Sequence, residues 1–138
     1  MAHWLYPANT KFYDVFGAFG APETYWPISS KVAAGDVVFI YLAAPHKQIG
    51  FVCDILDVGL AEADIIEKVR PFFKGTPDSK KTSKLFMKLK PTEEISLDKG
   101  SLLGLSFLKQ NGLNGMLMGP RKLENNVSLL TYIKGVME

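Results

Sequence analysis

The stretch Tyr25–Ile55, YWPISSKVAAGDVVFIYLAAPHKQIGFVCDI, decides the fold. It begins with an aromatic pair, Tyr25-Trp26, followed by Pro27. A polar link leads to Gly35-Asp36, a turn signal. Two apolar runs follow, Val37–Ala44 and Ile49–Ile55, joined by Pro45-His46-Lys47-Gln48. Both are rich in β-branched and aromatic residues and end at breakers. That pattern predicts two buried antiparallel strands connected by a short loop. The hairpin reads as the wall of a small barrel, with Trp26 at its mouth beside a pocket.

Outward from the hairpin, His3–Pro7 reads as a first short strand, stopped by Pro7 and turned by Asn9. Phe12, Tyr13, Val15, Phe16 and Phe19 are spaced for a short helix or turn, which Gly17, Gly20 and Pro22 keep from running far. Beyond Asp57-Val58-Gly59 the period changes. Ile65, Ile66, Val69, Phe72 and Phe73 recur at three and four residues, predicting an amphipathic helix over Ala61–Phe73. Its acids fall in the first turns, where the helix dipole favours them, and Pro71 is expected to end it. Gly75–Ser83 reads as a polar loop and Leu85–Leu89 as a strand closed by Pro91. Leu102–Leu108 fits a short helix or a buried strand. Asn111-Gly112 and Asn114-Gly115 are turn signals. Met116–Met118 reads as a short strand and Gly119-Pro120-Arg121-Lys122 as a basic turn. Leu123–Val136 is expected to close the chain as a helix, with Val127, Leu130 and Ile133 on one face.

The 138 residues suit one domain, residues 1–138, with a single core. A hydrophobic share of 47% and a charged share of 22% are those of an ordinary globular protein. No apolar run approaches the roughly 20 residues that span a bilayer, and the first residues lack the features of a secretory signal. Cys53 stands alone in an apolar run and reads as a buried structural thiol. A cytoplasmic protein without a membrane partner is the resulting expectation. Net charge is only +2. The charge is uneven, however. Lys74, Lys80, Lys81, Lys84, Lys88 and Lys90 crowd one segment, broken by Asp78 alone. Such a local basic surface suits a polyanion; as a bland alternative, it is a loop kept soluble by lysine.

Motifs for catalysis are missing. His3 and His46 have no partners at zinc-ligand spacing. The sequence contains no Walker loop, GxGxxG or GxSxG. Cys53 and His46 make a poor nucleophile and base, because a thiol deep in an apolar run is inert. The chain therefore reads as a non-enzyme with no metal and no cofactor. What remains is aromatic and basic. Tyr6, Tyr13, Tyr25, Trp26, Tyr41, Phe72 and Phe73 lie near breakers. Flat π faces beside positive charge are what a protein needs to hold an unstacked base and its phosphates. Tyr6 and Phe16 read more simply as core.

Trp26-Pro27-Ile28, then Ala34–Tyr41, then Ile49–Val52, resembles the EVE domain of the PUA-like superfamily, a relative of the YTH domain. His3–Tyr6 with Asn9, and the tail from Asn111-Gly112-Leu113 through Gly119-Pro120-Arg121, extend the resemblance over nearly the whole chain. The resemblance implies an α+β fold, a PUA-like small twisted mixed or antiparallel β-barrel with flanking helices. It also implies a reader of a modified, methylated base flipped into an aromatic pocket. Trp26 matches the first cage tryptophan and Asn9 a position contacting the base edge. Phe73, then Phe72, match the second wall, and Arg121 matches a phosphate-binding position. Around these the expected base pocket includes Pro27, Tyr41 and Tyr13, and the expected phosphate contacts include Lys122, Lys81 and Lys84. The implied partner is nucleic acid, with modified DNA favoured and RNA possible. A fused or associated motor or nuclease of a modification-dependent restriction system would complete the assembly. Two other classes compete. One is an enzyme acting on a nucleotide or modified base, with Asp36, Tyr41 and His46 as weak candidates. The other is a protein-interaction domain whose aromatics are all core.

Overall fold

The computed structural model describes residues 1–8, 14–28, 31–44, 46–69, 85–95, 102–115, 117 and 119–137. Six strands, β1 (His3–Ala8), β2 (Thr24–Pro27), β3 (Val37–Leu42), β4 (Gln48–Ala61), β5 (Leu85–Glu94) and β6 (Arg121–Lys122), form one sheet in the order β2-β5-β4-β3-β1-β6. Four helices accompany them: α1 (Val15–Phe19), α2 (Glu62–Val69), α3 (Leu105–Gln110) and α4 (Val127–Met137). The fold is α+β, and the sheet is mixed and twisted. It is not closed: β2 and β6 remain its edges among the described residues, where a closed barrel was expected.

The hairpin forms as its sequence predicts. β3 and β4 pair antiparallel from Val37↔Asp54 to Leu42↔Gln48. The register skips Gly50, passing from Ile40↔Phe51 to Tyr41↔Ile49. Glycine is needed there, because a Cβ would lie 2.5 Å from Leu42 Cδ1. β1 runs parallel to β3, from His3↔Val37 to Ala8↔Leu42. Such central strands are covered on both sides and therefore read as unbroken apolar runs.

Alternation divides the side chains between two cores. Trp4, Tyr6, Val38, Ile40, Leu42, Phe51, Cys53, Met87 and Leu89 face one side, where Val15, Ala18 and Phe19 of α1 cover them. Leu5, Phe39, Tyr41, Ile49 and Val52 face the other, under Leu108 of α3 and Leu129 and Ile133 of α4. Ile65 of α2 covers a third, smaller group, Tyr25 and Phe86.

Several elements depart from the sequence reading. β4 continues through Asp57-Val58-Gly59 to Ala61, so α2 begins only at Glu62. The apparent turn is a set of strand irregularities between Ile55 and Leu60, with Gly59 at φ 73°. β5 likewise runs past Pro91, which pairs with Cys53 beside a register shift. Proline lacks a ladder donor and is tolerated at such breaks. Leu102–Leu108 resolves in favour of a helix, α3. Arg121-Lys122 is an edge strand rather than a turn, antiparallel to β1. A 3-10 turn, Leu123–Asn125, then precedes α4. Asn126 starts α4 properly: its side chain accepts from Leu129 N at 3.3 Å and donates to Gly112 O at 2.7 Å. The buried face of α4 is Leu129 and Ile133, while Val127 is 67% exposed. The strand expected at Met116–Met118 involves two residues outside the described set.

Two polar clusters lock β1 in place. Asp36 is buried, 7% exposed. Its Oδ1 accepts from Ala2 N at 2.9 Å. Its Oδ2 accepts from Trp4 Nε1 at 3.0 Å and Ala33 N at 3.1 Å. Burial alone pushes this carboxyl up, but the donors from Ala2, Trp4 and Ala33 outweigh it and hold the group below the ordinary carboxylate value. At the other side of β1, Glu124 accepts from His3 N at 2.8 Å and meets His3 Nδ1 at 2.6 Å. Burial pushes Glu124 up as well, and the His3 hydrogen bonds again bring it below its usual range.

Asp36→Asn is expected to destabilise the fold by about 1–3 kcal/mol at neutral pH, because an amide NH2 must then face an N–H donor. A depressed folded-state pKa stabilises the protein above the unfolded value of 3.8 and ceases to do so as pH falls through the folded value. Urea unfolding of both proteins across the acid range checks this: their difference must shrink on that limb.

Candidate nucleic-acid interface

Trp26 sits on β2, an edge strand whose only sheet neighbour among the described residues is β5, with Trp26↔Met87 in register. Its phase on the strand turns the indole to the α1 side of the sheet. There it packs against Phe19 at 5.5 Å between ring centres and stays half-buried. Pro27, next along the edge, is also half-buried. From Phe19 the aromatic contacts continue. Phe19 stacks on Phe51 at 5.2 Å. Phe16 meets Phe51 edge-on at 6.0 Å and His46 edge-on at 5.3 Å. Trp26, Phe19, Phe51, Phe16 and His46 thus form a continuous aromatic row across this face, open to solvent at both ends.

Phe16 is the residue the sequence reading missed. It is 37% exposed, not core. α1 buries Val15, Ala18 and Phe19, a three- and four-residue spacing that leaves position 16 off the buried face. That signal was available in the sequence. Asp14 caps the helix, accepting from Gly17 N at 3.0 Å. Tyr6, by contrast, is core as expected.

Tyr41 does not join Trp26. It is 6% exposed and belongs to the core on the opposite side of the sheet, with Leu5, Phe39 and Ile49. The cause is strand alternation: Ile40 and Leu42 point towards the Trp26 side, and Tyr41 points away. Burial pushes its hydroxyl pKa up. Arg121 and Lys122 lie on β6, the other edge of the sheet. Arg121 Nη1 donates to Asn114 O at 2.9 Å, which ties down the preceding turn, and Lys122 is exposed. Asn9, Tyr13, Phe72, Phe73, Lys81 and Lys84 lie outside the described residues.

The lysine-rich segment is partly neutralised where it is described. Lys88 Nζ is 3.3 Å from Glu23. Across the sheet Lys88 opposes Asp57 and Lys90 opposes Asp54. Lys68 Nζ donates to Tyr25 OH at 3.2 Å and lies 5.4 Å from the centre of that ring.

Three groups capable of acid–base or nucleophilic chemistry, Asp36, His3 and Cys53, are held in structural roles, while His46 packs edge-on with Phe16. Asp36 accepts three hydrogen bonds from its own chain, and His3 is engaged by Glu124. Cys53 is fully buried, and burial, with the nearby Asp54 charge, pushes its thiol up to about 12. No cluster of His, Cys, Asp and Glu suited to a metal ion occurs among the described residues. No described helix is long and apolar enough to cross a membrane.

No protein-family model and no curated protein matches the sequence. Solved structures do match in fold. A mutant of ZmASCH from Zymomonas mobilis superposes with a TM-score of 0.66 at 9% identity, over 97% of this chain and 95% of that one. A protein from Pseudomonas putida gives 0.66 at 13% identity, over 99% and 100%. Rpa0253 from Rhodopseudomonas palustris gives 0.61 at 14% identity, over 100% and 96%. The fold is accordingly PUA-like, of the kind seen in ASCH structures. These likenesses are of fold: the Zymomonas mobilis neighbours are ASCH proteins, and the narrower EVE resemblance stays an expectation of the sequence.

In the native protein Cys53 is expected to resist a thiol reagent such as Ellman's at mildly alkaline pH and to react only on unfolding. Labelling rates with and without denaturant check this; rapid native labelling would contradict the buried thiol.

Proposed function

We propose that this chain is a nucleic-acid-binding module, acting without catalysis, that takes an unpaired base of RNA on the half-buried indole of Trp26. The observation that carries the reading is the position of Trp26. It sits on an edge strand of a PUA-like sheet, at the open end of a row of aromatic rings.

The magnitudes favour a single strand. Stacking on one aromatic ring is worth about 1–3 kcal/mol per base. Extruding a base from a duplex costs a few kcal/mol, which one such contact does not recover. Modest net charge fits a partner held by stacking as much as by phosphates. Arg121 and Lys122 supply positive charge at the far edge of the sheet. Preference for a methylated base, flipped from DNA, and a place in a restriction system are the finer form of this proposal. They rest on the EVE resemblance, since a methyl group itself adds only about 0.8 kcal/mol on burial. The non-catalytic reading is supported by the structural engagement of Asp36 and His3 and the raised pKa of Cys53.

Titration of the protein with one sequence as single-stranded RNA, single-stranded DNA and duplex, each plain and methylated, at two salt concentrations tests the reading. Single-stranded RNA is expected to bind tightest. Trp26→Ala is expected to weaken it at least about fivefold, the lower end of a stacking contribution, while Tyr41→Phe has no effect. Arg121→Ala is expected to lower the salt slope by about one. Absence of binding to every strand overturns the proposal. Turnover of a nucleotide overturns its non-catalytic part.

A further inference from the structure

The end of the aromatic row opposite Trp26 is itself constructed. His46 and Lys47 lie in the loop between β3 and β4. Lys47 has φ 51°, a left-handed conformation, and is the sole non-glycine residue with positive φ among the described residues. Such a conformation is costly for a residue that carries a Cβ and persists only where the surroundings impose it. Here they do. Lys47 O accepts from Leu105 N at 2.8 Å, and Leu103 O accepts from Ile49 N at 3.0 Å, so the segment entering α3 holds the β4 end of the loop. The His46 ring packs edge-on with Phe16, and Lys47, the next residue in the chain, is exposed. Phe16 is 37% exposed at this point. Gly17, next to it, carries no side chain and is exposed too. The neighbouring carboxylate, Asp14, is turned into the first turn of α1 by its bond to Gly17 N.

We infer that Phe16, His46 and Lys47 form a second station for the same single strand, stacking a further base and pairing its phosphate. This rests on the reading of Trp26 as the first station. Two rigid aromatic surfaces, an exposed cation and a flat glycine approach are the components of a single-strand platform. Three ring-to-ring steps of 5.2 to 6.0 Å, from Trp26 through Phe19 and Phe51 to Phe16, separate the two stations. A strand of about four nucleotides, the lower limit of known platform sizes, is the shortest expected to use both. The strained loop then has a purpose, since it holds an imidazole and an ammonium group at the end of the row before the strand arrives.

The experiment compares a dinucleotide and an octanucleotide of RNA against wild-type protein, Phe16→Ala, Phe16→Tyr, Lys47→Gly and Trp26→Ala. Phe16→Ala is expected to weaken the octanucleotide about tenfold and leave the dinucleotide unchanged, with Phe16→Tyr restoring affinity. Lys47→Gly suits the backbone, so the fold is retained. It is expected to reduce the salt slope for the octanucleotide by about one. If Phe16→Ala weakens both lengths equally, or neither, while Trp26→Ala still weakens them, the second station is overturned and the Trp26 reading stands. If wild type binds neither length, the Trp26 reading itself falls. Thermal unfolding of each variant separates lost contacts from lost fold.

Discussion

Three N–H donors converge on the carboxylate of Asp36, and the position of β1 depends on them. β1 lies parallel to β3, and parallel neighbours cannot be aligned by a hairpin turn. Something else must set the register. Asp36 directly precedes β3, and its side chain takes the backbone of Ala2 and the indole of Trp4 from the strand alongside. Asp36, with Glu124 on the other flank, thereby helps fix which side of β1 meets which core. A one-residue slip would exchange the sets entirely, sending Trp4 and Tyr6 to the face now filled by Leu5. The indole of Trp4 is committed to this anchoring, whereas that of Trp26 is only half-buried.

How much of this was legible in the sequence depended on whether local chemistry and tertiary context agreed. The β3–β4 pair was readable because a β-branched run between breakers has few other solutions. β1 was readable as the short aromatic and apolar run His3–Tyr6, although the strand continues through Pro7 to Ala8 instead of stopping there. The far half of β4 was not, because Asp57-Val58-Gly59 has turn composition and only pairing with β5 shows it to be a distorted strand. Pro91 misled in the same way. The two residues of β6 are too few for any period, and β1 alone makes them a strand. On α4 the apolar residues outnumber the buried positions, so the choice of Leu129 over Val127 had to come from packing against the sheet.

The candidate site was legible in part for equally physical reasons. Trp26 stood out as an aromatic before a proline. Tyr41 stood out as well, but a strand gives alternate residues to opposite faces, and the face of Trp26 is that of Ile40 and Leu42. Phe16 could be found from the spacing of Val15, Ala18 and Phe19. His46 could not, because its neighbour Phe16 comes from a segment thirty residues away and the two meet only after α1 docks. The basic segment looked stronger in sequence than in space, since cross-strand acids and Glu23 offset Lys88 and Lys90.

The contact of His3 with Glu124 joins residues 121 apart in the chain. β1 and its outer neighbours, β6 and the Glu124 carboxylate, are separated in the chain by the other four strands and by α1 to α3. Until β6 pairs with it, one flank of β1 is exposed. Closing so long a loop costs entropy that no nearby contact offsets beforehand, so this docking belongs among the late events of folding. In the interval the flank of β1 offers unpaired backbone groups to any passing strand, an edge that Arg121–Lys122 covers once docked.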